Sequence, residues 1–155
     1  MHDQPTSSAR RFLVCAIGVA VVSVLGSAGC SSSPTKVDYA RPFPRELAKG
    51  PTLDIQVFRE AQHIEFTNTT ARAYGPSTLW LNGRFCRPID GLAVGETQRY
   101  RLKEFRDEYQ DPFREGGFFA TERPDRLVLA QLETAGDDAQ PVMLGLIVVG
   151  TGDAE

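Results

Sequence analysis

"STLWLNGRFCRPI" (77–89) decides the fold. Asn82-Gly83 stands between apolar flanks, with Leu79 and Leu81 before it and Phe85 and Cys86 after it. A tight hairpin turn needs positive φ at both central positions, which Asn and Gly accept at the least steric cost. The stretch therefore predicts two antiparallel strands joined at Asn82-Gly83. The same period of two recurs on both sides of it. "TLDIQVF" (52–58) sets Leu53, Ile55 and Val57 against Asp54 and Gln56; "HIEFTN" (63–68) sets Ile64 and Phe66 against His63 and Glu65. "ETQRYRLKEF" (96–105) puts Tyr100 and Leu102 opposite Arg99, Arg101 and Lys103. Each pattern is that of a strand with one wet face.

"GGFFATE" (116–122) and "RLVLAQLE" (126–133) are shorter candidate strands, the first entered through a tight return at Gly116-Gly117. "PVMLGLIVVG" (141–150) is apolar on both faces, as a central strand would be. Seven or eight short strands, with turn signals about every ten residues, predict an all-β domain over residues 52–150, a single antiparallel immunoglobulin-like β-sandwich. The stretch 64–102 also resembles bacterial immunoglobulin-like and fibronectin-type accessory domains, the CARDB-like group above all. The matching residues are Thr67, Asn68, Thr69, Asn82, Gly83, Leu92, Gly95 and Glu96. The resemblance implies a fold and a general role in adhesion, spacing or ligand presentation, not a particular activity.

The amino terminus says where the domain goes. "MHDQPTSSARR" (1–11) closes on Arg10 and Arg11, and "FLVCAIGVAVVSVLG" (12–26) then carries no charge. A positive segment, an apolar core and an exit of small residues are the layout of a secretory signal peptide. The apolar run is short for a permanent span and ends in Gly and Ser. "SAGC" (27–30) resembles the lipobox of bacterial lipoproteins, although Ser27 stands where that family prefers Leu, with Leu25 two residues further back. The resemblance implies cleavage before Cys30 and acylation of Cys30, giving a membrane partner through two or three acyl chains. Ser31, not Asp, follows the cysteine, which by the family's rules points to the outer membrane; an uncleaved anchor or a cleaved soluble product are the alternatives. All place the domain outside the cytoplasm, at the cell membrane or outer membrane. "SSSPTKVDYARPFPRELAKGP" (31–51) holds four prolines and little periodicity. Residues 30–51 thus read as a lipidated cysteine and a disordered, semi-extended tether, and residues 151–155 as a disordered tail.

Of the three cysteines, Cys15 lies in the leader and Cys30 at the lipid site, so Cys86 is left without a disulfide partner. A lone cysteine beside Phe85 reads as a small buried hydrophobe. The 155 residues carry 17 Lys and Arg against 20 Asp and Glu, with neither sign collected into a block, which excludes the basic footprint of a nucleic-acid binder. Arg99, Arg101 and Lys103 form a row on one strand face and read as a solvated or edge-protecting face.

Trp80 and Tyr100 are the candidate ligand-binding residues. Trp80 points away from Leu79 and Leu81, so it belongs either to a second layer of core or to the surface. At the surface it would join Tyr100 in a stacking platform for sugar rings. "FRDEYQDPFREGG" (105–117) gathers Asp107, Glu108, Asp111 and Glu115 as a calcium candidate without the regular loop spacing of calcium-binding hands. His63 is the one histidine beyond the leader, too few for a zinc site or a convincing hydrolase triad. Neither a phosphate-binding nor a dinucleotide fingerprint occurs. No cofactor or catalytic residue is expected. The function expected is that of a non-catalytic envelope lipoprotein, an interaction or structural module with an envelope protein or cell-wall polysaccharide as partner. A glycan-binding module using Trp80 and Tyr100 is the alternative. Its binding loops are expected at one end of the sandwich, from 67–77 and 105–117.

Overall fold

The Asn82-Gly83 turn forms as its residues dictate. Asn82 has φ 54° and Gly83 φ 61°, and Arg84 N donates to Leu81 O at 3.1 Å. In the computed structural model, which describes residues 37–150, this turn joins the third and fourth of seven strands. These are β1 (Ala48–Glu60), β2 (His63–Thr67), β3 (Ser77–Leu81), β4 (Phe85–Ile89), β5 (Thr97–Arg101), β6 (Ala130–Ala135) and β7 (Pro141–Val149). A 3-10 turn, Leu102–Glu104, follows β5, and among the described residues there is no α-helix. The leader expected over 1–29, Cys30 and the tail over 151–155 lie outside the described residues.

The domain is nearly all β, as expected, but it is not an antiparallel sandwich. All seven strands belong to one mixed sheet in the order β4-β3-β6-β7-β1-β2-β5, curled into a half-barrel. Five of its six junctions are antiparallel; β1 and β7 run parallel. Apolar on both faces, β7 takes the centre of the order, as its sequence predicts. Its neighbours are β6 and, across the parallel junction, the first strand of the sheet. One strongly curved sheet wraps a single core, so a second facing sheet is not needed.

The period of two sorts side chains onto the two faces. Ile55, Val57, Ile64, Phe66, Leu79, Leu81, Phe85 and Leu132 join the main core inside the curve. Trp80, Cys86 and Met143 point the other way and form a smaller apolar cluster on the outer face. Loops plug the inside: Leu102, Phe105 and Phe113 from the β5–β6 connection are fully buried there. That connection also crosses to the far edge of the sheet, where Arg106 and Cys86 exchange backbone bonds of 2.8 and 3.1 Å. Chain from β5 thus reaches β4, and Arg87 from β4 lies 3.8 Å over the ring of Tyr100 in β5.

Three local expectations need correction. The stretch 31–51 is not a tether throughout: from Val37 it packs on the sheet, Tyr39, Phe43 and Leu47 covering the outer cluster, and β1 begins at Ala48 rather than Thr52. Prolines there suit an extended cover strip as well as a linker, and composition alone does not separate the two. The candidate strand in "GGFFATE" is a loop. Positive φ at Gly116 (78°) and Gly117 (133°) breaks the extended conformation, and Phe118 and Phe119 stand in solvent. The run from Arg126 becomes a strand only at Ala130, because the Asn82 carboxamide holds the residues before it. Its Oδ1 accepts from Val128 N at 2.9 Å and Leu129 N at 3.3 Å, and its Nδ2 donates to Arg126 O at 2.7 Å.

Candidate functional site

A concavity lies at the end of the sheet where β1 and β7 begin and β3 starts. It is a cleft of about 460 Å³ with Ala48, Leu53, Tyr74, Val142 and Leu144 along it and the β6–β7 turn at its rim. Asn68 builds the wall that carries Arg72 and Tyr74. Its buried carboxamide donates to Arg72 O at 2.8 Å and to Leu92 O at 3.2 Å, and accepts from the Thr70 hydroxyl at 2.7 Å. Paired backbone bonds between Tyr74 and Leu92, 3.0 and 2.8 Å, fix the far side. Arg72 reaches over the rim to Asp137 (2.6 Å), with Asp138 beside it. The cleft thus has an apolar floor and a mixed-charge lip. Such a shape takes an apolar group with a polar end.

Trp80 is fully buried, and the exposed sugar platform is therefore corrected. The chain's own amino-terminal strip occupies the indole. Phe43 meets it edge to face at 5.2 Å, the Arg41 guanidinium lies 5.0 Å over its face, and its Nε1 donates to Glu133 Oε2 at 2.7 Å. Arg41 Nη2 donates to the same oxygen at 2.7 Å. Tyr100 belongs to the other side of the sheet. It packs on the main core with Arg87 over its ring and donates its hydroxyl to Gln98 Oε1 at 2.7 Å. Burial pushes its phenol above the ordinary value, against the pull of Arg87. The two candidate aromatics are not brought together.

In the acidic loop Asp107 and Glu115 are internally satisfied. Asp107, 1% exposed, takes Arg84 Nε and Nη2 on Oδ2 at 2.9 and 2.6 Å, and the amides of Tyr109 and Asp111 on Oδ1 at 3.0 and 2.9 Å. Glu108 and Asp111 face solvent, and Glu115 pairs with Arg101 (2.8 Å). Asp107, Glu108 and Asp111 do not converge, and among the described residues no group of three metal-ligating side chains does. The Arg99, Arg101 and Lys103 row is partly neutralised, Arg99 approaching Glu60 at 3.6 Å. His63 opens β2 opposite Glu60 and Arg101, half-buried. Cys86 is buried and free; burial raises its thiol pKa, with the backbone and charge of Arg41 pulling the other way.

The strand register separates the two loops expected to act together. Residues 67–77 lead into the start of β3 at the cleft, whereas 105–117 follow the end of β5, at the opposite end of the sheet. What sequence reasoning missed is the cleft's other half, Ala48 and the β6–β7 turn. Gly136 to Gln140 carries a turn signal, but nothing local tells that β1 and β7 are neighbours. Comparison of the chain with protein-family models, with curated proteins and with solved structures finds no match in any of the three.

Proposed function

We propose that the chain is an exported, lipid-anchored cell-envelope protein whose β domain is a non-catalytic interaction or structural module. The observation that carries this reading is Cys30 at the end of "SAGC", directly after a charge-free apolar run headed by Arg10 and Arg11. That order is what export and acylation of a cysteine require. The domain is compatible with a role by contact: Trp80, Tyr100 and Asp107 are engaged in holding the fold, and the cleft is apolar with a charged lip. A partner is met at that cleft, where Arg72 and Asp137 already form an ion pair that an incoming polar group can exchange with.

Incorporation of labelled palmitate tests the anchor. The wild-type chain takes up label and sediments with membranes; Cys30→Ser takes up none. Equal labelling of the two, or none in either, removes the lipid anchor. A photo-crosslinking residue in place of Asp138, at the cleft lip, tests the module. In intact envelopes it forms a discrete adduct, which the same residue at Glu108, remote from the cleft, does not. Identical adduct patterns from both positions dismiss the cleft as the contact surface.

A further inference from the structure

Phe118 and Phe119 are 95% and 90% exposed. They are consecutive, and they meet each other edge to face at 5.0 Å. Around them 116–121, "GGFFAT", carry no charge. Apolar side chains of this size ordinarily gain from burial, so a solvent-facing pair at a protruding tip is unexplained by the domain's own stability.

The loop is presented firmly. At its base Arg114 Nη2 pairs with Asp125 Oδ1 (2.6 Å), and Asp125 N donates back to Arg114 O at 2.9 Å. Although burial pushes the Asp125 carboxyl up, the bonds and charge of Arg114 hold it below the ordinary aspartate value. Arg59 donates to the carbonyls of Asp125 and, at 3.0 Å, Glu115; Gln62 Nε2 donates to Gly116 O at 2.9 Å. Gly116 and Gly117 adopt the positive φ that turns the chain outward, and a Cβ on Gly117 would run into the Gln62 carboxamide. A clamped base and an apolar tip make a wedge.

We infer that this wedge inserts into the surface of a lipid bilayer, giving the domain a second attachment beside its amino-terminal lipid. Two rings at a convex tip cannot bury the area that a specific protein interface needs, on the order of 1,000 Å². A bilayer asks for no such area; it admits a short apolar projection to the acyl boundary and gains with each buried methylene-sized group. In the same loop the exposed cation Arg123 suits an anionic headgroup, while Glu122 beside it is paired with Arg114 at 3.3 Å. Chain length favours the same occupant. From Cys30 to Val37 is seven residues, a reach of about 25 Å at most. Val37 N is held by Gln110 at 2.9 Å, in the same β5–β6 connection that carries the wedge. The inference rests on the proposed lipid anchor only for bringing the domain to the membrane.

Phe118→Trp in the full chain, recovered from membranes and reconstituted into vesicles of phosphatidylethanolamine and phosphatidylglycerol, tests it. Trp80 is sealed in the outer cluster and supplies a constant background, so the added indole reports alone. With brominated acyl chains its emission falls by about half, since insertion at the acyl boundary brings it to the quencher, while aqueous acrylamide reaches it less than in detergent-free buffer without vesicles. An indole untouched by brominated lipid and freely quenched by acrylamide overturns the inference, whatever protein covers the loop in cells. The mass of the amino-terminal peptide is read on the same sample. An unacylated chain whose tip is still quenched sinks the anchor and keeps the wedge; an acylated chain with an unquenched tip does the reverse.

Discussion

At the scale of single residues, Trp80 carries the most. The indole is held by two contacts that its own chain supplies, Phe43 on the edge and Arg41 on the face, and by a hydrogen bond to Glu133 that leaves no buried donor unpaired. Its emission is therefore blue-shifted and insensitive to acrylamide and to added cell-wall polysaccharide. A red-shifted, sugar-sensitive spectrum would return Trp80 to the surface. Trp80→Ala leaves a cavity under the amino-terminal strip and costs about 3–5 kcal/mol in urea denaturation. Trp80→Phe keeps most of the packing, loses the bond to Glu133 and costs about 1–2 kcal/mol. Cys86, its neighbour in the cluster, makes a pH statement. Burial raises the folded thiol above its ordinary value of 9.0, so the unfolded chain ionises first as pH rises. The stability that a protonated Cys86 contributes is complete below pH 9 and is lost as pH climbs through the folded value. The folded protein resists iodoacetamide at pH 8, and the stability difference between wild type and Cys86→Ala shifts toward the variant above pH 9. A pH-independent difference contradicts the raised pKa.

At the scale of elements, the hairpin shows what a short stretch of sequence can and cannot fix. Asn82-Gly83 specifies positive φ twice, and the turn follows from those two residues alone. The same asparagine has a second role that no turn rule contains. Its carboxamide bonds to Arg126 O, Val128 N and Leu129 N and so sets where β6 begins. Those partners are more than forty residues away, and the candidate strand at Arg126 therefore starts late. The amino-terminal strip was hidden for a related reason: "YARPFPREL" (39–47) has no period of its own, because its few apolar residues dock onto a cluster contributed by β3, β4 and β7. The strands that alternate cleanly, such as β2, are the ones whose sorting needs only their own residues. Two variants separate the roles of position 82. Asn82→Gly keeps the backbone conformation and loses the carboxamide bonds, costing about 1–2 kcal/mol. Asn82→Ala adds the strain of positive φ and costs about 1 kcal/mol more. Hydrogen exchange of the Val128 and Leu129 amides quickens in both. Unchanged exchange there would mean that the carboxamide does not hold β6.

At the scale of the whole molecule, one junction decides the topology. Five antiparallel pairings can be built from strands that meet through turns or loops, but β1 and β7 lie near opposite ends of the described chain and run parallel. Alternation predicts strands and their wet faces; it carries no information about which distant strand lies beside which, and so the same pattern served equally for a sandwich or for one curled sheet. The cleft inherits that blindness, since its walls come from both sides of the junction. Close approach there depends on Gly145. It pairs with Thr52, where the register of β1 shifts on both sides, and a Cβ at 145 would lie 2.7 Å from Thr52 Oγ1 and 3.3 Å from Thr52 Cβ. The threonine is β-branched and stiff at χ1, so it cannot swing aside without strain. Gly145→Val forces the central strand and the first strand apart and destabilises the domain by about 1–3 kcal/mol. Thr52→Ala alone costs little, because Thr52 is exposed, yet in combination it recovers part of the loss by removing the opposing hydroxyl and methyl. The double-mutant cycle therefore shows favourable coupling between two residues 93 positions apart in sequence. Strict additivity would mean that β1 and β7 do not meet at this point, and with it the single mixed sheet would have to be abandoned.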